Sequence, residues 1–218
     1  KSLLWMFESH TDQIKMELPE DMFRLTDEGI EFIETDINRV KGVNKEKSER
    51  FTQAMKNEGI QFPIKNIYGL PSTSKSKDDG YFMVDNKDDF FHLKMYDGEP
   101  QCHKIPLPVG MQVNGMNCLV DDVNYGYVYD QNYNIYLMRI KDYSFFQLPI
   151  YDYKDYGSLI TMSEDLFFYT YQLYGLDRVK IYVVDKEHNL LASETLVYPL
   201  YENSKVGQRE NYVFPFKA

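Results

Sequence analysis

The sequence predicts an all-β fold with one helix, arranged as a β-propeller-like domain of about five blades. Three observations support this prediction: a repeat of about 45 residues, four short apolar segments in each repeat, and an abundance of aromatic residues. The chain has 19 tyrosines and 14 phenylalanines among 218 residues, and such side chains favour half-buried sheet faces. Four antiparallel strands per repeat are typical of a propeller blade. An open β-meander or β-sandwich would use the same hairpins and is the alternative.

Residues 1–60 predict two irregular blades and the single helix. Residues 3–18 resemble the last two strands of a blade, and residues 22–33 predict a hairpin. A helix follows over residues 44–58, because Asn44 can cap its N-terminus and apolar residues then recur on one face. We expect this helix to replace half of a blade.

Three regular repeats follow, over residues 61–108, 109–150 and 151–200. Their third strands begin near Phe91, Tyr136 and Ile181, which are spaced by 45 residues each time. In each repeat, an apolar segment precedes a hairpin with a polar tip, and a fourth strand ends the unit. A blade cannot bury both of its faces alone, so we expect each to pack against its neighbours.

Residues 211–216 predict a closing strand that completes the blade begun by residues 3–18. On this interpretation, residues 1–218 form a single domain. The chain starts at Lys1 and runs almost directly into the apolar segment 3–7. We therefore expect the sequence to be a portion of a longer protein.

The composition argues against several classes of partner. The net charge is −10, and the basic residues are interleaved with acidic ones, so nucleic acid is not an expected partner. An anionic membrane surface is disfavoured for the same reason. The sequence has no run of 18 apolar residues, so this segment is not expected to span the membrane. Cys102 and Cys118 are either two buried thiols or one disulfide.

The common catalytic motifs do not occur in the sequence. It has no phosphate-binding glycine-rich loop, no dinucleotide fingerprint and no Gly-x-Ser-x-Gly motif. Residues 130–134 begin like a calcium loop, but Ile135 and Lys141 stand where glycine and glutamate are required. We therefore expect no catalytic residue, no metal and no cofactor, and we favour a non-enzymatic protein.

One candidate binding surface is the loop of residues 69–80, which includes Lys75, Lys77 and Asp79. This loop is long, polar and locally basic in an acidic chain. Loops on a rigid scaffold often bind partners, although such a loop is also typical of a plain surface connection.

A row of tyrosines is the second candidate. Strand alternation predicts that Tyr125, Tyr127 and Tyr129 share one face. A row of this kind either stacks on a sugar or partner peptide, or packs between two blades.

Several motifs resemble those of a family of uncharacterised Bacteroidetes proteins that share a domain of unknown function. The matching residues include Asp21-Met-Phe-Arg-Leu25, Asp79-Gly-Tyr-Phe82 and Phe91-His-Leu-Lys-Met95. The resemblance is strongest over residues 16–106. Members of that family are longer and have a hydrophobic N-terminal segment. The resemblance therefore implies a membrane-tethered domain outside the cytoplasm, in the periplasm or cell envelope, and it supplies no catalytic residues.

We therefore expect a non-enzymatic, extracytoplasmic binding or scaffolding domain whose partner is another envelope protein. The alternative is a glycan-binding or glycan-cleaving protein. That alternative needs a pocket with two facing carboxylates, roughly 5–10 Å apart, and an exposed tyrosine or tryptophan.

Overall fold

The structure is a computed structural model that describes residues 2–10, 15–36, 39–151, 153–156 and 160–197. These residues form sixteen strands, arranged as four antiparallel four-stranded sheets, and two helices. The chain divides into two compact units, Lys1–Gln147 and Leu148–Ala218. The first unit contains three of the sheets, and the second contains one.

The first sheet contains β1 (Leu4–Trp5), β2 (Asp21–Leu25), β3 (Ile30–Asp36) and β4 (Arg39–Asn44), in that order. Leu4 lies opposite Phe23, so the N-terminal segment adds an edge strand to the hairpin that follows it. The prediction of two irregular blades in this region is therefore wrong. The described residues form four sheets instead of about five blades, because these two segments share one sheet.

Helix α1 (Lys45–Asn57) follows β4 directly. The Asn44 side chain caps it by accepting a hydrogen bond from the Lys47 amide at 3.0 Å. Its buried face presents Phe51, whose ring centroid lies 4.7 Å from that of Phe32 in β3. The first sheet already has four strands, so the helix does not replace half of a blade as the sequence predicted. It packs between the first sheet and the next one as part of their shared core.

The second sheet contains β5 (Asn66–Gly69), β6 (Tyr81–Val84), β7 (Phe90–Tyr96) and β8 (Glu99–Ile105). Every residue of β6 is buried, because both faces of this strand are packed. On one face, Met83 and Phe91 join the core that includes α1 and the first sheet. On the other face, Phe82 and Phe90 join a second core.

The third sheet contains β9 (Val113–Cys118), β10 (Asn124–Asp130), β11 (Ile135–Arg139) and β12 (Phe145–Gln147). Val128 and Met138 belong to the second core, which lies between this sheet and the second one. From Tyr125 onward every residue of β10 is buried, so this strand, like β6, is covered on both faces.

The second unit contains α2 (Tyr153–Tyr156) and the fourth sheet, formed by β13 (Ile160–Glu164), β14 (Tyr169–Tyr174), β15 (Arg178–Val184) and β16 (Leu190–Val197). Burial alternates along β14: Tyr171 and Leu173 are buried, and the residues between and beside them are half-buried. Nearly every residue of the edge strands β13 and β16 is exposed to some extent. This sheet is thus covered mainly on one face.

The predicted four-strand repeat is confirmed by the pairing of the strands. Phe91, Tyr136 and Ile181 each lie in the third strand of a four-stranded sheet, namely β7, β11 and β15. The predicted closing strand of residues 211–216 lies outside the described residues. Neither described helix has the length and apolar character needed to cross a membrane.

The two cysteines do not pair in the structure. Both are free thiols: Cys102 lies in the core around α1, and Cys118 packs against the core between the second and third sheets. Of the two alternatives left open by the sequence, the structure has the unpaired thiols, but only Cys102 is buried and Cys118 is half-buried.

Three hairpin turns share one structure, although they occur in different sheets. Each begins with an aspartate whose Oδ1 accepts hydrogen bonds from the amides two and four residues later; these aspartates are Asp85, Asp130 and Asp185. The fourth residue of each turn has a positive φ, between 64° and 66°. The residues that resemble a calcium loop are one of these turns, since Asp130 accepts backbone amides there.

Candidate functional site

The loop between β5 and β6 is folded onto an internal ion pair. Lys75 Nζ donates to an Asp78 carboxylate oxygen at 2.8 Å and to the carbonyl oxygen of Leu70. Asp78 is only 2% exposed, and its other carboxylate oxygen accepts the Gly80 amide at 2.8 Å. Because a buried carboxylate needs such partners, this pair holds the shape of the loop.

The same loop is attached to two other segments of the first unit. The Met16 amide donates to the carbonyl oxygen of Lys75 at 2.9 Å, which ties the N-terminal segment to the loop. Lys77 Nζ donates to Asp122 Oδ1 at 2.7 Å and to the carbonyl oxygen of Asp121 at 3.0 Å. Both lysines that the sequence singled out are therefore engaged within the chain.

His92 of β7 lies fully buried beneath this loop. Its ring stacks on Phe82, with centroids 4.2 Å apart and an interplanar angle of 13°. Nδ1 lies 2.8 Å from the Tyr143 hydroxyl, and Nε2 contacts the carbonyl oxygen of Asp79. A carbonyl oxygen can only accept, so Nε2 holds the proton and Nδ1 accepts from Tyr143. Burial lowers the pKa of His92 to about 3, so the ring is neutral near pH 7.

Tyr125 extends this chain of hydrogen bonds. Its ring stacks with that of Tyr143 at a centroid distance of 5.3 Å, and the two hydroxyls are hydrogen-bonded. Burial raises the pKa of both tyrosines, and the hydrogen bond adds to the rise for Tyr125. Because the Tyr143 hydroxyl donates its proton to His92 Nδ1, it accepts from Tyr125. The chain runs from Tyr125 through Tyr143 and His92 to the carbonyl oxygen of Asp79. We call these four residues the His92 network.

The side chain of Asp79 lies in the same region as the network. Burial raises the pKa of its carboxyl group, and the positive charge of Lys77 acts in the opposite direction. The structure thus brings Asp79 and Tyr125, two residues predicted independently, into one network, with Lys75 and Lys77 in the attached loop.

Tyr127 and Tyr129 do not join this network. The pairing of β10 with β11 skips one residue between Asn124 and Gly126, which is a β-bulge. The extra residue turns Tyr125 to the face of Val128 and away from the other two tyrosines. The prediction that all three tyrosines share one face is therefore wrong. All three are buried, at 5–6% exposure.

Glycine is required at the bulge. A Cβ added to Gly126 would lie 2.3 Å from the carbonyl oxygen of Asn117 in the neighbouring strand β9. No side chain fits at that distance, because the obstacle is backbone. The bulge therefore depends on this residue.

Sequence reasoning did not identify His92 and Tyr143 as members of a site. They are 51 residues apart and meet only because the second and third sheets pack together. The one available signal was a histidine inside the apolar strand β7, where a polar side chain needs a buried partner. Since His92 is neutral, buried and bonded on both nitrogens, the network orders the loop above it.

Three grooves on the first unit have volumes of 340–430 Å³. The 430 Å³ groove beside α1 contains Glu28, Glu31 and Glu49 but no aromatic side chain. The 370 Å³ groove includes Phe62 with only one carboxylate, that of Glu28. Neither of these two grooves combines the pair of carboxylates and the aromatic platform that the glycan alternative needs.

Comparison with known proteins places the chain in a family. No curated protein matches it. One similar solved structure is described as "Structure of Dos1 propeller"; it is 11% identical over 82% of this chain, with a TM-score of 0.41, and the chain spans 45% of its length. The family model described as "Domain of unknown function (DUF4857)" matches residues 1–184, more than half of the sequence. The chain therefore belongs to the DUF4857 family.

Proposed function

We propose that this chain is a non-enzymatic binding or scaffolding domain, propeller-like in fold, whose partner is another protein of the cell envelope. The observation that supports this best is a contrast between its polar and apolar groups. The charged side chains of Lys75, Lys77 and Asp78 are all bonded within the chain. The fourth sheet, in contrast, exposes large apolar side chains, and apolar patches on a protein surface commonly mark interaction sites.

In this proposal the loop of residues 70–80 is a shaped part of the binding surface. Lys75, Lys77 and Asp79 hold it, and Tyr125 supports it through the His92 network. Its exposed positions are Leu70 and the polar residues Thr73, Ser74 and Ser76. Tyr127 and Tyr129 contribute packing beneath the surface.

We also propose that the domain lies outside the cytoplasm, within a longer membrane-anchored protein. This location is supported by the resemblance to longer envelope proteins that have a hydrophobic N-terminal segment.

Location is tested by labelling the full-length protein in its own cells with a membrane-impermeant maleimide. Thr73→Cys adds an exposed thiol on the loop, and the unaltered protein is the control because Cys102 is buried and Cys118 is half-buried. We expect the variant alone to be labelled in intact cells. Labelling that requires the cytoplasmic membrane to be opened would contradict the proposed location.

The binding role is tested by crosslinking intact cells and purifying the full-length protein. We expect one envelope protein in roughly equal amount, and the two proteins should associate again when each is purified separately. Recovery of the protein alone would contradict a scaffolding role. Binding to a glycan array would favour the glycan alternative instead.

A further inference from the structure

The hairpin turn between β13 and β14 exposes large apolar side chains. Leu166 is 80% exposed and Phe167 is 65% exposed, and Phe168 beside them is also exposed. Large apolar side chains are unfavourable in water, so two adjacent ones at the tip of a hairpin would be stabilised by burial against a partner. We call residues 165–168 the apolar turn.

The conformation of the apolar turn is fixed before any partner binds. The Asp165 carboxylate accepts hydrogen bonds from the backbone amides of Phe167 and Phe168, both at 2.7 Å. The backbone amide of Asp165 donates to the carbonyl oxygen of Phe168 at 3.1 Å. The hydrogen bonds from the amides of Phe167 and Phe168 also lower the pKa of the Asp165 carboxyl group, so it is ionised near pH 7. Such a turn presents its side chains with little loss of conformational entropy on binding.

A neighbouring turn braces the apolar turn. Lys186 Nζ donates to Glu164 at 2.7 Å and to the carbonyl oxygen of Asp165 at 2.6 Å, and it lies 4.2 Å from the centroid of the Tyr169 ring. The two turns are at the same end of the sheet, because Tyr169 pairs with Val184. The lysine is therefore occupied by contacts within the sheet.

The charge around the apolar turn is acidic. Residues 164–168 and 185–189 contain four carboxylates, against the one lysine that is already paired; the acids are Glu164, Asp165, Asp185 and Glu187. A surface of this kind favours a basic counterpart and is repelled by anionic lipid headgroups.

We propose that the apolar turn is the contact by which this domain engages its protein partner, inserting Leu166 and Phe167 into an apolar pocket bordered by lysine or arginine side chains. This inference rests on the proposed binding function and adds the surface and the chemistry of the partner. A few buried apolar anchors commonly dominate the energy of such interfaces.

The test uses the full-length protein in its own cells, with a photoreactive amino acid in place of Leu166. The matched control places the same amino acid at Leu176, which is fully exposed at the opposite end of the same sheet. We expect crosslinks to one protein from position 166 and none from 176. The crosslinked peptide of that protein should be apolar and flanked by basic residues.

Affinity for the purified partner then decides the roles of individual side chains. Leu166→Ser with Phe167→Ser should weaken binding by roughly tenfold or more, and Leu176→Ser should leave it unchanged. Asp165→Asn keeps an oxygen that can accept the two amides, so it should bind more tightly than Asp165→Ala. Since Leu166, Phe167 and Leu176 are exposed, the serine variants should have the same melting temperature as the unaltered protein. Asp165→Ala should lower it only slightly, as expected for an exposed turn.

The outcomes separate this inference from the proposed function. If a partner associates but crosslinks from position 176 and binds the double variant with unchanged affinity, the apolar turn is not the contact while the binding role stands. If no position yields a protein and none associates, both are overturned. Sedimentation of the protein with phosphatidylcholine vesicles, lost in the double variant, would assign the turn to a membrane and overturn the inference.

Discussion

His92 shows how a single buried polar residue can connect two sheets and a loop. Its ring is packed on Phe82, its proton is donated to a main-chain carbonyl, and its other nitrogen accepts from Tyr143. A charged imidazolium could not keep this arrangement, because Nδ1 would lose its role as an acceptor. The contact between the network and the loop above it therefore requires a neutral histidine.

This neutrality predicts acid sensitivity. The pKa of His92 is about 3 in the folded chain and about 6.5 in the unfolded chain, so between these values only the unfolded state binds the proton. The free energy of unfolding should fall as pH drops below 6.5, by up to about 1.4 kcal/mol per pH unit from this group. Urea unfolding at pH 7, 6, 5 and 4 measures it.

His92→Gln is the control for this titration, because glutamine can hydrogen-bond but does not bind a proton in this range. The variant should be less stable at pH 7 and should show a shallower loss towards pH 4. Asp79 has a raised pKa, so its protonation at lower pH favours the folded state and opposes the loss of stability. Both proteins contain Asp79, so this effect is common to the two titrations. Parallel pH profiles for the two proteins would show that His92 is not neutral in the fold.

The two lysines of the loop should differ in their effect on stability. The Lys75 side chain is 11% exposed and neutralises a buried carboxylate, so Lys75→Ala should lower the free energy of unfolding by about 2–4 kcal/mol. The Lys77 side chain is 37% exposed and pairs with an exposed aspartate, so Lys77→Ala should cause a much smaller fall. Urea denaturation compares them, and equal losses would contradict the buried ion pair.

At the scale of single residues, the candidate site was partly predictable from the sequence. Lys75, Lys77 and Asp79 stand out in the sequence because a basic, polar loop is unusual in an acidic chain. The burial of Asp78 and the pairing of His92 with Tyr143 depend on contacts between distant segments, which residue spacing does not specify. The bulge at Gly126 was also unpredicted, since strict alternation is the default assumption for a strand.

At the scale of elements, the aspartate turns recur with the same hydrogen bonds but with different burial. Asp85 is fully buried and also accepts the Gln61 amide at 2.8 Å through its second oxygen. Asp185 forms the same turn at a more exposed position. The two turns therefore separate the effect of turn chemistry from the effect of burial.

Asp85→Ala should lower the free energy of unfolding by about 3 kcal/mol, because three amides lose their acceptor in a buried site. Asp185→Ala should cost clearly less, since water can replace the lost carboxylate there. Thermal and urea denaturation of both variants test this. A larger loss for Asp185→Ala would mean that burial is not the deciding factor.

The regular strands were predictable because their apolar segments recur at a fixed interval between polar turns. The N-terminal arrangement was not. β1 has only two residues, and its partner β2 begins sixteen positions after it ends, so no local pattern indicates their pairing. Long-range pairing therefore decided how many sheets the first sixty residues form.

At the scale of the whole molecule, the four sheets differ in how they are covered. The second and third sheets contain central strands that are buried on both faces, whereas burial alternates in β14 of the fourth sheet. The sequence indicated this difference only weakly, because all three repeats have similar aromatic content. The physical distinction arises from which faces find apolar neighbours.

This difference predicts unequal protection from hydrogen exchange. β7 and β10 should exchange more slowly than β14 and β15, by roughly tenfold or more, although all four strands are paired on both edges. Exchange measured by mass spectrometry on the intact protein tests this. Uniform protection across the four strands would contradict it.

The extra residue at the Asn124–Gly126 bulge shifts the alternation of side chains along β10 by one position. Deleting one residue there would rotate Tyr125 to the side of Tyr127 and Tyr129 and detach it from Tyr143. Strands usually accept changes of residue type more readily than changes of length, and here a change of length would also disconnect the loop from its support. We expect variation in this segment to preserve its length and its glycine, even where the aromatic residues themselves are exchanged.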